Sequence, residues 1–288
     1  MPSFETLVGV DELAARLDDP SWCVVDCRFS LVDTDAAEQA YLQGHIPGAR
    51  YAHMERDLSG ELHDSSGRHP LPDPTELADT FGRWGIGPAT QVVVYDDAGG
   101  AYAARLWWLL RWLGHAAVAV LDGGWNRWLE GQHPVATAVP PDETGGQFEP
   151  GEALEYWLAS DSVLTALGRG EICLVDARAA ERFRGEQEPI DPVAGHVPGA
   201  INRPYGENLI PDGRFKTPEL LRSEFEQLLD GRPASQAVHM CGSGVTACHN
   251  LLAMQIAGLG GSSLYAGSWS EWIRDPSRPV AADPERSL

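Results

Sequence analysis

With 288 residues, 43% of them apolar and 22% charged, the chain has the size of two ordinary globular domains, and it is neither collagen-like nor disordered in composition. Its 21 Lys and Arg stand against 42 Asp and Glu, a formal charge of −21. That sign argues against a nucleic-acid binder or a membrane-surface protein, and it admits a small anionic substrate only at a local positive site.

MPSFETLVGV at the start has neither the basic nor the apolar stretch of a secretory leader. No run approaches the ~18 apolar residues needed to cross a bilayer. Five cysteines at 23, 27, 173, 241 and 248 follow no disulfide spacing. The expectation is a cytoplasmic chain with reduced thiols and no metal site, in which Cys23, Cys27 and Cys173 are small core residues.

In chain order, WCVVDCR (22–28) supplies a short apolar run that reads as a buried parallel strand, and GHIPGA (44–49) follows it. Asp73-Pro74 places a capping side chain before a proline, the start of a helix. QVVVYDDAGG (91–100) is a second strand running into a glycine-rich loop. The apolar stretch 101–113 is a helix packed on a sheet, and 118–121 is a third strand leading into LDGGWNRW (121–128). Residues 132–150, rich in Pro, Gly, Thr and acid, have the composition of a linker; their length suggests that they wrap one domain.

The pattern then returns. ICLVDAR (172–178), GHVPGA (195–200), QAVHMCGSGV (236–245) and YAGSWSEW (265–272) repeat the four earlier segments at offsets of 150, 151, 145 and 144. Thr217-Pro218 starts another capped helix, and 246–257 is the second apolar one. The reading is an α/β protein of two tandem domains, each an open, mostly parallel sheet flanked by helices. Their expected extents are 1–136 and 155–288, with 137–154 between them.

The chemistry points to Cys241. It ends a strand, where open α/β sheets hold their ligands, and CGSGVTA (241–247) leads into a helix. Two glycines let the loop turn its N–H groups inward as an anion nest, and the helix start adds its positive end. Both favour the thiolate, the reactive form. The first-half copy of the loop has Asp96 where the second has Cys241, so one copy reads as active and the other as chemically silent.

These segments together resemble the tandem rhodanese family of thiosulfate and 3-mercaptopyruvate sulfurtransferases over nearly the whole chain. CGSGVTA is most similar to the mercaptopyruvate branch, since the thiosulfate branch commonly carries basic residues after the cysteine. The resemblance implies ping-pong transfer of a sulfane sulfur through a Cys241 persulfide to cyanide or a thiol, with a thioredoxin-like reductant among the acceptors. It implies that no metal or organic cofactor is required. It also implies that Arg182 contacts the donor's anionic group and that Gly242, Gly244, Val245 and Thr246 line the substrate. Ser243 is expected to act with a histidine, matched here by His45, and with an aspartate for which Asp33 and Asp35 are both candidates. His45 has a structural reading as well, because His196 repeats it.

Arg178 reads as a structural partner of Asp176. A second substrate arginine is expected nine residues after Arg182, but Asp191 stands there, leaving Arg184 as a substitute or the anchoring weaker. Cys248 reads as a packed helix residue, with a resolving thiol as the alternative. A thiosulfate-preferring enzyme and a non-catalytic binding module are the rival readings. A phosphatase or arsenate reductase is a further rival, and Ala247 argues against it by occupying the position where a Cys-x5-Arg loop needs its arginine.

Overall fold

The computed structural model describes residues 3–142 and 146–282. The chain forms two compact units, each with its own five-stranded sheet. In the first, β1 (Leu7–Val8), β2 (Trp22–Asp26), β3 (Arg50–Tyr51), β4 (Gln91–Tyr95) and β5 (Val118–Leu121) lie in the order β1-β5-β4-β2-β3. In the second, β6 (Tyr156–Leu158), β7 (Cys173–Asp176), β8 (Ile201–Asn202), β9 (Ala237–Met240) and β10 (Ser263–Tyr265) lie in the order β6-β10-β9-β7-β8. Every strand pair is parallel, so each crossover carries helices onto the sheet faces and the central strands are buried on both sides.

The helix signals in the sequence have physical counterparts. The Asp73 carboxylate accepts the N–H groups of Thr75 and Glu76, and Pro74 opens the helix Pro74–Arg83. The Thr217 hydroxyl accepts the N–H of Leu220 at the start of Pro218–Leu229. The apolar helices span Ala103–Trp112 and Ala247–Ile256, and both are almost wholly buried. Each core is filled by large aromatics, with Trp128 in one and Trp269 and Trp272 in the other.

The division into units does not follow the chain linearly. Residues 61–70 belong to the second unit and 211–215 to the first, so each half lends the other a short strip. The stretch expected to be a linker packs on the first unit. Ala136 pairs with His45 in an antiparallel bridge, Phe148 meets the Phe81 ring, and Gly151 and Leu154 donate to the carbonyls of Leu113 and Arg111. Among the described residues no helix is long and apolar enough to cross a membrane.

Candidate active site

Cys241 stands at the first position after β9, and its thiol is buried. The loop behind it is clamped by the turn from β10 into the helix Ser268–Trp272. Trp269 N–H donates to Cys241 O (3.0 Å), and Ser270 N–H donates to Gly242 O (2.9 Å). Cys241 N–H donates to Ser268 Oγ (3.0 Å), whose hydroxyl donates in turn to Tyr265 O (2.9 Å). Ser268 holds a left-handed backbone (φ 53°), which a serine adopts only at a cost of about 1–3 kcal/mol. Its first-unit counterpart is Gly124 (φ 55°). The hydroxyl that fastens the cysteine's own amide is what the second unit gains from a side chain there.

Gly244 has φ 80°, and a Cβ on it would run into Ala266 O, so the loop can turn here only with glycine. Val245 is buried, and Thr246 directly precedes the helix Ala247–Ile256. Cys248 is fully buried inside that helix, its Sγ against Gly244 O at 3.4 Å; all five cysteines are unbridged.

The first unit shows what the loop geometry can hold. Asp96 Oδ1 accepts the N–H groups of Ala98 and Gly100, and Oδ2 those of Tyr102 and Ala103, each at 2.8 Å. Burial pushes the Asp96 carboxyl up, while the four amides pull it back. The nest is thus filled by the residue that replaces the cysteine. By the repeat, the matching amides of the second loop belong to Ser243, Val245, Ala247 and Cys248, the last of which donates here to Val245 O at 3.1 Å.

Ser243 Oγ lies 2.8 Å from His69 Nδ1, and both residues are buried. His69 comes from the strip 61–70, and it is this histidine, not the expected His45, that meets Ser243. His45 sits in the first unit with Nδ1 on Tyr41 O (2.7 Å) and Nε2 on Ala138 O (3.2 Å), stacked on the Tyr41 ring. Its twin His196 does the same work, with Nδ1 on Phe183 O (2.7 Å) and its ring stacked on Phe183. Both histidines brace a GH-[IV]-PGA turn. Asp33 and Asp35 lie exposed before the helix Ala36–Gln43 of the first unit.

The arginines divide sharply. Arg178 is buried, forks onto Asp176, donates to Gly195 O (2.8 Å) and lies over the Trp269 ring at 4.7 Å. Arg28 repeats this arrangement with Asp26, Gly44 O and Trp125. Arg182 keeps its guanidinium beside the loop: a Cβ built on Gly242 would stand 3.6 Å from its Nη1. Arg182 is held by Glu188 (2.7 Å) and Asp191 (3.1 Å). Burial raises the Asp191 carboxyl, whereas the Arg182 hydrogen bond and neighbouring amides keep Glu188 below the usual range despite its own burial.

Arg184, the expected substitute anchor, instead pairs with Glu186 (2.8 Å) and lines a groove with Asn202, Arg203 and Lys216 that no residue of the Cys241 loop shares. The second guanidinium at the loop is Arg68. It pairs with Asp191, and its Nη2 would lie 2.8 Å from a Gly242 Cβ.

Arg68 and His69 lie outside the four repeated strand and turn motifs that mark the two loops in the sequence. A fainter echo was available. Gly67-Arg68 and Gly213-Arg214 precede the two proline-capped helices at an offset of 146, and these pairs lie on the two exchanged strips.

Comparison with known proteins decides the family. The rhodanese-like domain model matches residues 9–131 and again 160–275. The chain belongs to the rhodanese family. It is a tandem rhodanese, a sulfurtransferase built from two such domains. A Pseudomonas aeruginosa protein described as "Probable 3-mercaptopyruvate sulfurtransferase" is 49% identical over 280 residues, covering 96% of this rhodanese and 97% of the relative. Mouse thiosulfate sulfurtransferase is 36% identical over 262 residues, covering 88% and 86%. The crystal structure of SseA from Escherichia coli, a 3-mercaptopyruvate sulfotransferase, superposes with a TM-score of 0.79 at 32% identity, covering 93% of this chain and all of the other.

Proposed function

We propose that this rhodanese takes sulfur from 3-mercaptopyruvate in preference to thiosulfate and carries it as a persulfide on Cys241. The observation that supports this reading is the hydrogen bond between Ser243 and His69, two residues along the loop from the nucleophile. With the proton on Nδ1, His69 donates to Ser243 Oγ and leaves the Ser243 O–H free to donate to a ligand.

The Cys241 thiolate attacks the donor sulfur. The S–S bond forms as the C–S bond breaks, leaving Cys241–S–SH and the enolate of pyruvate, which takes a proton to give pyruvate. Negative charge grows on the donor's ketone oxygen, and a positioned hydroxyl stabilises it there. Thiosulfate makes no such demand, because it leaves as sulfite, a stable dianion. It would instead favour an excess of positive charge, and the guanidinium groups of Arg68, Arg178 and Arg182 are already matched by Asp176, Glu188 and Asp191.

The loop amides then hold the persulfide as their first-unit counterparts hold the Asp96 carboxylate. Cyanide removes the outer sulfur as thiocyanate, and a thiol removes it as its own persulfide; a thioredoxin-type dithiol belongs to this second class of acceptor. In either case Cys241 returns to the thiolate. The test is kcat/KM for the two donors with cyanide as common acceptor, together with intact-mass mapping of the added sulfur. A higher value for thiosulfate overturns the donor assignment, and sulfur found on a cysteine other than Cys241 overturns the site.

A further inference from the structure

The arginines at the Cys241 loop are bridged by a carboxylate of the protein itself. Asp191 spans Arg68 and Arg182, one carboxylate oxygen toward each guanidinium. Both guanidinium groups also crowd Gly242: a Cβ there would meet Arg68 Nη2 at 2.8 Å and Arg182 Nη1 and Nη2 at 3.6 and 3.7 Å. Two guanidinium forks thus converge beside the residue next to the nucleophile, and a planar carboxylate already sits between them. That is the arrangement that would receive a planar carboxylate from solution.

The two acids of this cluster are held unequally. Glu188 is held by Arg182, by Arg178 at 3.4 Å, and by the backbone N–H groups of Ile190 and Asp191 at 3.1 Å each. Asp191 has the two guanidinium groups, and it rides on a stretch without helix or strand, between exposed Ile190 and exposed Val193. Arg68 Nε is buried without a hydrogen-bond partner among the described residues, so the present arrangement leaves a donor of this guanidinium unused.

We propose that Arg68 is the second anchor for the donor's carboxylate, acting with Arg182, and that Asp191 is a resident stand-in which the donor displaces. This rests on the reading of the site given above. Arg68 fills the place left open when Asp191, rather than an arginine, follows Arg182 by nine residues. Donor binding then exchanges one carboxylate for another on the same two cations. Affinity is the difference between the two, so Asp191 lowers the apparent affinity for every anionic donor while keeping the arginines ordered in its absence. Arg68 and Arg182 touch the donor's carboxylate. Asp191 acts through them and is a positioning residue.

The experiment measures kcat and KM for 3-mercaptopyruvate, and the inhibition constant of pyruvate as an unreactive carboxylate, in Arg68→Gln, Arg68→Lys, Asp191→Asn and Arg68→Gln/Asp191→Asn. Removing a charged hydrogen-bond donor should raise KM and the pyruvate constant roughly ten- to a hundredfold in Arg68→Gln, with kcat changed far less. Arg68→Lys should recover part of the loss. Asp191→Asn should lower both constants several-fold, and that gain should vanish in the double variant. A structural ion pair predicts instead that Asp191→Asn loses stability and leaves both constants unchanged or raised, which would overturn the proposal. Unchanged constants in both Arg68 variants would also overturn it. Intact mass of the wild type after donor treatment separates the two levels. No sulfur on Cys241 defeats the functional reading, whereas a normal Cys241 persulfide with unaltered Arg68 constants defeats only this inference.

Discussion

Ser243→Ala is the most direct probe of how the second loop works. The substitution removes a buried hydroxyl 2.8 Å from His69 Nδ1 and leaves the loop backbone in place. If Ser243 donates to the ketone oxygen only as charge develops, its loss resembles removal of one oxyanion-hole donor, about 10²–10³ in rate or roughly 2.7–4 kcal/mol at 1.36 kcal/mol per decade. The stability cost is separate and smaller: a lost neutral hydrogen bond and an imidazole nitrogen left buried come to about 1–3 kcal/mol. The assay is thiocyanate formation from each donor at saturating cyanide, beside urea denaturation of both proteins. The expected result is a hundredfold or greater fall in kcat/KM for 3-mercaptopyruvate and a change under about threefold for thiosulfate. His69→Asn should reproduce much of this, and the double variant should fall well short of the sum, since the two side chains act as one unit. Equal losses for the two donors would show that the hydroxyl serves the sulfur or the loop's shape rather than the ketone.

Other outcomes follow from the same geometry. Asp96→Asn keeps one acceptor oxygen for four amides, so two buried N–H groups lose their partner; the first unit should lose about 2–6 kcal/mol, read as a lower denaturation midpoint, while sulfur loading of Cys241 in the folded fraction stays intact. Gly244→Ala should abolish loading, because the new Cβ meets the Ala266 carbonyl and the backbone is left-handed; normal loading by mass spectrometry would show that the loop can relax. Cys248→Ser should still take up one sulfur per chain, since that thiol lies inside a helix against Gly244 O; loss of loading would make it a participant. A fragment of residues 155–288 lacks Arg68 and His69 and should show no more than background transfer; full activity would mean that neither is needed.

Much of this molecule was legible in the sequence because duplication writes everything twice. Trp22–Asp26 and Cys173–Asp176 could be paired before either was placed, and both are strands beside their loop strand. The glycine nest at Cys241 was legible for a different reason, since φ 80° at Gly244 is a demand that few other residues meet. His45 misled for the same reason that the repeats informed. A motif present in both halves is more often architecture than chemistry, and the two ring nitrogens of His45 lie against the carbonyls of Tyr41 and Ala138. The histidine that meets Ser243 has no twin: Phe215 stands at the matching place, so symmetry could not point to His69. Asp191 read as a gap in anion binding because sequence spacing follows one segment at a time, while its partner Arg68 lies 123 residues away along the chain.

The exchanged strip has a consequence for how this enzyme is made. Synthesis delivers residues 61–70 long before the loop they serve, and the His69–Ser243 bond closes a separation of 174 residues. Contacts at such range are slow to form, because chain entropy must be surrendered before they return anything. The first sheet can assemble as it leaves the ribosome, but 61–70 must wait for the second sheet, and residues 211–215 arrive late to a first unit that is otherwise finished. If Ser243 works through His69, recovery of activity during refolding should lag behind recovery of secondary structure.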